Sequence, residues 1–382
     1  MTRVFLFDSS WETYGGGEKF VCAIADALAA EDGYDVTLLL DSPRVTADEL
    51  RRRFNVRLDR TTCRYVRRGK VRATLHSADI GIITSNVFPF GNHARKNVYI
   101  LQMPFRRMGP LQILRRALTE SPRAAAKDLL RLGLLHDARS ASLVIMYSEF
   151  CRQQIQKSHH LCAQVLYPPI DDFAGHLPKE RIILSVGRFF KGLYNDKRYD
   201  ILIDAFKQLH QRLPDRSWEY HLVGSCSSDP ASRAFLSWLE NASRGFPIRI
   251  HVNASYDELK QYYQRATFFW HAAGYGIDED VYPDRTEHFG MSTVEAMSAG
   301  CIPFAVNAGG QKEIVSHGKS GYLWNTVDEL IGETLDVMLN PERVPPMQRE
   351  ARKRFTDFSP EKFTRHVLSL FQQLTVTTHG QN

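Results

Sequence analysis

Two carboxylates stand eight residues apart in the stretch EHFGMSTVEAMSAG, at Glu287 and Glu295. Eight residues span about two helical turns. Met291 to Ala299 holds good helix formers, and Gly300 supplies a C-cap. Gly290, Met291 and Ser292 should therefore open a helix whose first N–H groups are free for an anion. Glu295 then projects from inside the helix, while Glu287 comes from the loop before it. A carboxylate one turn into a helix can accept both hydroxyls of a ribose. The plainer alternative makes Glu287 a partner of the helix dipole and Glu295 a surface residue.

A second constellation is SVGRFFKGLYNDKRYDILIDAF, residues 185–206. A strand should end at Gly187 and a helix begin near Lys197. Arg188 lies just past the strand and Lys197 at the helix start. Two cations beside a helix N-terminus suit a diphosphate, whose charge is spread over several oxygens. Fixed cations aimed at growing charge are the usual large contribution when such a group departs. Lys191 competes for the same role, and a solvated basic loop is the alternative to all three. The third is TYGGGEKF, residues 13–20, where consecutive glycines permit positive φ and close backbone approach. Gly16 and Gly17 open a helix here, and a tight turn without a ligand is the alternative. Gly309-Gly310 makes a similar turn after a later strand.

Other chemistries are poorly supported. The dinucleotide fingerprint needs a glycine where Phe20 stands, and a phosphate-binding loop at Gly318-Lys319-Ser320 needs one where Glu313 stands. Asp278-Glu279-Asp280 follows no strand directly and reads as a solvated acidic loop. The histidines lack zinc spacing, so no metal site is expected. Cys22, Cys63, Cys151, Cys162, Cys226 and Cys301 are scattered, which suits reduced thiols in a cytosolic protein.

These residues need elements to hold them. Apolar runs at 4–7, 36–40, 80–84, 98–102, 143–148 and 164–167 alternate with helical patterns, as do runs at 182–186, 220–223, 248–252, 267–270 and 302–306. Tyr199–Arg212 and Tyr256–Arg265 are two such helical patterns. Alternation of this kind gives parallel sheets with crossover helices. Eleven strands suit two sheets better than one, and 382 residues suit two domains. The prolines and polar cluster of 167–180 place the boundary, giving domains 1–172 and 173–359 of an α/β protein. In doubly wound domains the ligand site lies outside the carboxyl ends of the strands, and all the motifs fall at strand-to-helix turns. No run of 18 apolar residues exists, and the first apolar stretch is too short for a signal peptide.

Together these stretches resemble glycosyltransferase family 4, retaining enzymes of the GT-B fold. The resemblance rests on the Glu-x7-Glu segment with His288-Phe289-Gly290 inside it, on Val186-Gly187-Arg188 with Lys197, and on Gly15–Glu18. It continues through VIMYSEF, VLYPPID and SHGKSGYLW, in order along nearly the whole chain. It implies two Rossmann-like domains facing across a cleft, with the segment 360–382 packing back on the first. It implies a nucleotide-sugar donor as substrate, no other cofactor and no metal. By the same resemblance Arg188 and Lys197 bind the diphosphate and Glu295 holds the ribose. Glu287 and the backbone of Phe289–Ser292 hold the sugar and distal phosphate, while Gly16 and Gly17 pack against the diphosphate. Gln102 departs from the pattern: many members carry a histidine there, and glutamine can bond a sugar but cannot shuttle protons. The segment 271–286 is longer than the family minimum and reads equally as a lid or as a decorated loop.

Likeness of HFG-x4-E to lipid-linked oligosaccharide mannosyltransferases makes GDP-mannose the first expected donor and a UDP-sugar the second, with a glycan or lipid-linked acceptor. Competing functions are another GT-B enzyme, such as a sugar-nucleotide epimerase or a phosphorylase, and a non-catalytic anion-binding protein. Residues 1–170 carry 25 Lys/Arg against 16 Asp/Glu, so this half seeks an anionic partner. Nucleic acid is not expected, because the basic stretch 44–72 has only Phe54 and Tyr65 as stacking aromatics. The leucine-rich stretch 105–139 holds 8 basic and 3 acidic residues, a pattern that can lie on an anionic membrane or pack in a core. Family members with lipid-linked acceptors favour the membrane, so a cytoplasmic protein peripheral to it is the expectation.

Overall fold

A computed structural model describes residues 1–13, 15–190 and 196–376. The chain divides into two units: Met1–Pro169 together with the segment from Pro360 onward, and Ile170–Ser359. The second unit is thus inserted into the first.

In the first unit seven parallel strands form one sheet. They are β1 (Thr2–Asp8), β2 (Tyr34–Leu40), β3 (Thr61–Tyr65), β4 (Ile80–Thr84), β5 (Lys96–Leu101), β6 (Leu143–Met146) and β7 (Gln164–Val165), in the order β3-β2-β1-β4-β5-β6-β7. In the second unit six parallel strands are β8 (Glu180–Val186), β9 (Glu219–Gly224), β10 (Ile248–Val252), β11 (Ala266–His271), β12 (Ile302–Val306) and β13 (Tyr322–Trp324), in the order β10-β9-β8-β11-β12-β13. Each unit is therefore doubly wound. The strand order reverses between β1 and β4 in the first and between β8 and β11 in the second.

Parallel strands covered on both faces read as continuous apolar runs, and the central strands do: Ile80–Thr84, Ala266–His271 and Ile302–Val306 are buried throughout. Two strands among the described residues lie beyond the eleven that the pattern predicts. Thr61–Tyr65 is an edge strand with no buried residue, so it carries no apolar run. Tyr322–Trp324 is only three residues long. The helical patterns at Tyr199–Arg212 and Tyr256–Arg265 form helices with those same ends. Helix Pro360–Val376 lies in the first unit against helix Gly16–Ala29, with the Phe20 and Phe363 rings 5.5 Å apart edge to face.

Candidate active site

The second unit gathers its chemistry where the strand order reverses, the usual ligand position in an open α/β sheet. β8 ends at Val186, and Gly187 follows. A Cβ at Gly187 would lie 2.8 Å from Lys197 Cγ, so the missing side chain lets Lys197 fold across the strand end. Arg198, in the left-handed region at φ 52°, then turns the chain into helix Tyr199–Arg212. From the neighbouring strand, His271 is the last residue of β11. Glu287 joins the two sides. Its Oε2 takes the Lys197 ammonium at 2.5 Å and lies 2.9 Å from His271 Nε2.

Glu287 is 8% exposed. Burial alone would raise its carboxyl, but the Lys197 ammonium and the His271 ring outweigh it and hold the group well below the usual carboxylate range. His271 is pushed down by burial and kept neutral, with Glu287 partly opposing. An ionised carboxylate only accepts, so His271 donates through Nε2. Its Nδ1 then carries a lone pair, and among the described residues that buried atom has no partner; neither has Gln311 Oε1 close by. Two buried open valences beside an ion pair mark a place for a polar ligand.

Glycines hold this segment in place. Gly310 N donates to Glu287 O at 2.8 Å, and a Cβ on Gly309 would fall 2.3 Å from the same oxygen. Gly290, at φ 119°, opens helix Met291–Ser298, and a Cβ there would strike Gln311 Nε2 at 2.5 Å. Met291 and Ser292 sit half-buried in the first helical turn. Phe289 packs on Phe358 at 5.4 Å, and His288 Nε2 lies 3.2 Å from Asp284 O. Glu295, one turn further in, accepts from the buried Tyr263 hydroxyl at 2.8 Å.

Lys197, Glu287 and the 288–292 backbone are thus brought together. Arg188 stands apart, exposed, with its guanidinium over the Phe190 ring at 5.2 Å. Lys191 lies outside the described residues. Within the segment 271–286, Arg198 Nη1 donates to Tyr275 O at 3.0 Å, the Tyr275 ring lies 5.2 Å from that of Trp324, and Glu279 accepts from Gly309 N at 2.8 Å while pairing with Lys312. Among the described residues no three His, Cys, Asp or Glu side chains are arranged to hold a metal ion.

The first unit has its own polar cluster at its reversal point. Gly16 and Gly17 begin helix Gly16–Ala29, and the Glu18 carboxylate caps it by accepting from Gly15 N at 2.9 Å. Gln102 follows β5. Its Oε1 accepts from Asn86 Nδ2 at 2.8 Å, and its amide fills the space beside Gly17, 2.2 Å from where a Cβ would stand. The Tyr147 hydroxyl is buried next to Gln102, Asp8 and Glu18. Sequence reasoning missed His271, Gln311, Tyr263 and Asp8. Two of them had a signal: His271 and Asp8 are polar residues ending apolar strands at the carboxyl edge.

Residues 169–355 match the family model described as glycosyl transferases group 1. The chain is 28% identical over 228 residues to the GDP-Man:Man(3)GlcNAc(2)-PP-Dol alpha-1,2-mannosyltransferase of Dictyostelium discoideum, covering 55% of this chain and 42% of that protein. It is 25% identical over 259 residues to the alpha-1,3/1,6-mannosyltransferase ALG2 of Homo sapiens, covering 62% and 59%. The chain therefore spans about half the length of the curated relatives it matches. Its fold is similar to that of Anabaena Alr3699/HepE in complex with UDP, with TM-score 0.70 and 18% identity over 98% of this chain and 100% of that one.

Proposed function

From the glycosyl transferases group 1, to which the chain belongs through residues 169–355, we propose that it transfers a hexose from a nucleoside diphosphate sugar to a glycan or lipid-linked acceptor. The observation that carries this reading is the Lys197–Glu287–His271 cluster at the reversal point of the second sheet. Lys197 exchanges Glu287 for the donor's phosphates and stabilises the charge that grows there as the glycosidic bond breaks. Arg188, exposed and stacked on Phe190, swings in as the second cation. These two supply the positive charge that a divalent ion would, so the reaction is metal-independent. Glu287, freed from Lys197 and steered by His271, takes hydroxyls of the transferred sugar together with the 289–292 backbone. Glu295, oriented by Tyr263, holds the ribose. Configuration is retained, as in the family that the motifs resemble.

The Dictyostelium relative is named as a user of GDP-mannose, which makes GDP-mannose the first donor to try. A UDP-sugar is the second, since the similar fold of Alr3699/HepE is described with UDP. The panel that tests the reading is thermal shift with UDP, GDP, ADP and dTDP, repeated on Glu295→Gln. A nucleotide at a hundred times its dissociation constant stabilises by roughly 2.7 kcal/mol, and the variant should need far more of it. Stabilisation by none of the four, or equal affinity in the variant, defeats the donor assignment. Saturating chelator should leave transfer unchanged; loss of rate restored by manganese defeats metal independence.

A membrane-presented acceptor accords with two helices of the first unit, Pro110–Thr119 and Pro122–Arg139. Ile113, Leu134 and Leu135 are buried, but Leu111 and Leu118 are more than 80% exposed, and Leu114, Leu129 and Leu132 are also exposed. Exposed leucines among arginines fit peripheral binding to anionic lipid at the cytoplasmic face. Among the described residues no helix is long and apolar enough to cross a membrane. Replacing Arg106, Arg107, Arg115 and Arg116 with Gln should weaken flotation with anionic vesicles and spare donor hydrolysis. Wild-type protein that stays at the bottom of the gradient at low salt removes the docking reading.

A further inference from the structure

The reversal point of the first sheet holds open valences that no described residue fills. Asp8 ends β1 and Thr84 ends β4, and the two are register partners on adjacent strands. Register partners present their side chains on the same face of a sheet. Each is about 1% exposed. Asp8 Oδ1 accepts from Ser10 N at 2.7 Å, but among the described residues Oδ2 has no partner, and neither has Thr84 Oγ1. A buried polar atom without a partner destabilises the fold, so native structures keep few of them. Two side by side, at the edge where open sheets bind ligands, call for a ligand that bonds both.

The surroundings select its chemistry. Glu18 stands close enough to Asp8 to act on it electrostatically, so the spot repels phosphate and carboxylate. No metal-holding cluster exists among the described residues. An apolar guest would leave both atoms unbonded. A pair of neighbouring hydroxyls, each able to donate and accept, satisfies both at once. The rim adds further amide groups: Gln102 and Asn86, bonded to each other, with Gln102 against Gly17 and beside the Tyr147 hydroxyl.

We propose that Asp8 and Thr84 form a subsite for a neutral sugar, reading two adjacent ring hydroxyls of the acceptor, with Gln102 and Asn86 as its rim. The assignment of these hydroxyls to the acceptor rests on the transferase reading above. The role of Asp8 and Thr84 in holding them rests on the unpartnered atoms alone.

Saturation-transfer NMR on the full chain tests this, with methyl α-D-mannopyranoside, methyl β-D-glucopyranoside and methyl β-N-acetylglucosaminide as probes. Wild type should bind at least one. Asp8→Asn and Thr84→Val should each weaken that binding about tenfold, the loss of one good hydrogen bond. Both should leave the nucleotide-induced thermal shift untouched, because that shift reports the second unit. Thr84→Val should melt at the wild-type temperature or above, since it removes a buried unbonded hydroxyl. No glycoside bound by wild type, or binding undiminished in both variants, overturns the subsite. So does a clearly lower melting temperature in Thr84→Val, which would give the hydroxyl an internal structural partner. If glycoside binding behaves as expected but no nucleotide stabilises the protein, the transferase reading falls and the sugar subsite stands.

Discussion

The two reversal points share one topology and differ in charge. In the second unit the Lys197 ammonium neutralises the Glu287 carboxylate and the neutral His271 ring bonds it, and Glu287 is ionised because these two hold it so. In the first unit an aspartate sits in a cluster with another acid and, among the described residues, no ion pair of its own, and burial pushes the Asp8 carboxyl well above the usual range, with Glu18 adding to the push. The same winding of strands thus makes one place for an anion and another for hydroxyls. Topology supplies the location, and the residues that end each strand decide what can bind there.

The largest expected effect comes from breaking the charged side. Lys197→Ala should lower turnover about a hundredfold or more, as for a fixed charge in a preorganised site. Glu287→Gln should cut turnover and also destabilise the second unit by about 3 kcal/mol, since it leaves a mostly buried ammonium without its anion. Glycoside binding by the first unit should survive both changes. Steady-state kinetics with nucleotide sugar, set beside the NMR titration, would show whether the two sites separate in this way. Loss of glycoside binding in Lys197→Ala would erase the distinction between them.

A smaller effect sharpens the comparison through pH. In the second unit His221, His251 and His271 are all pushed below the ordinary histidine value, chiefly by burial. His221 and His251 lie in a chain from Glu219 to the Tyr262 hydroxyl, with Arg249 and Arg265 nearby. Groups neutral in the fold but more readily protonated when unfolded contribute stability above about pH 6.5, and that contribution is lost as pH falls through their folded values. Asp8 has the opposite sign. Its raised folded value contributes stability below about pH 3.9, and this is lost as pH rises. Acidification from pH 7 to 5 should therefore lower the melting of the second unit, by roughly 2–4 °C per kcal/mol for a domain of this size. In the first unit Asp8 opposes the loss that His159 and His366, also pushed down by burial, bring over the same range, so Asp8→Asn should steepen the first unit's loss on acidification. Calorimetry across that range in which the unit carrying the three histidines grows more stable would reverse the assignment.

Much of the second unit was legible in the sequence because its signals are local. Glu287, Gly290 and Glu295 fall on one loop and the helix it enters, so spacing alone sets their relation. Lys197 was legible through the helix it precedes. What periodicity could not give was the pairing of Lys197 with Glu287 across 90 residues, or the arrival of His271 between them. Those depend on β8 and β11 being neighbours, and strand order is not written in any single stretch. Asp8 was hidden for a different reason. A lone acid at the end of VFLFD reads as the close of a strand, and only its burial and its unbonded oxygen set it apart. Arg188 shows the reverse case, prominent in the motif yet standing outside the cluster.

The insertion of one unit into the other bears on how the molecule is made. Phe363, Val367 and Phe371 are buried in the first unit, and Phe363 lies against Phe20 of the opening helix. A ribosome emits Phe20 more than three hundred residues before Phe363. Domains tend to fold as they emerge, yet the first unit must wait with an apolar helix face uncovered while Ile170–Ser359 is translated and folds as an unbroken stretch. The order of completion is thus the reverse of the order of synthesis, and helix Pro360–Val376 closes a unit that was begun before Ile170–Ser359.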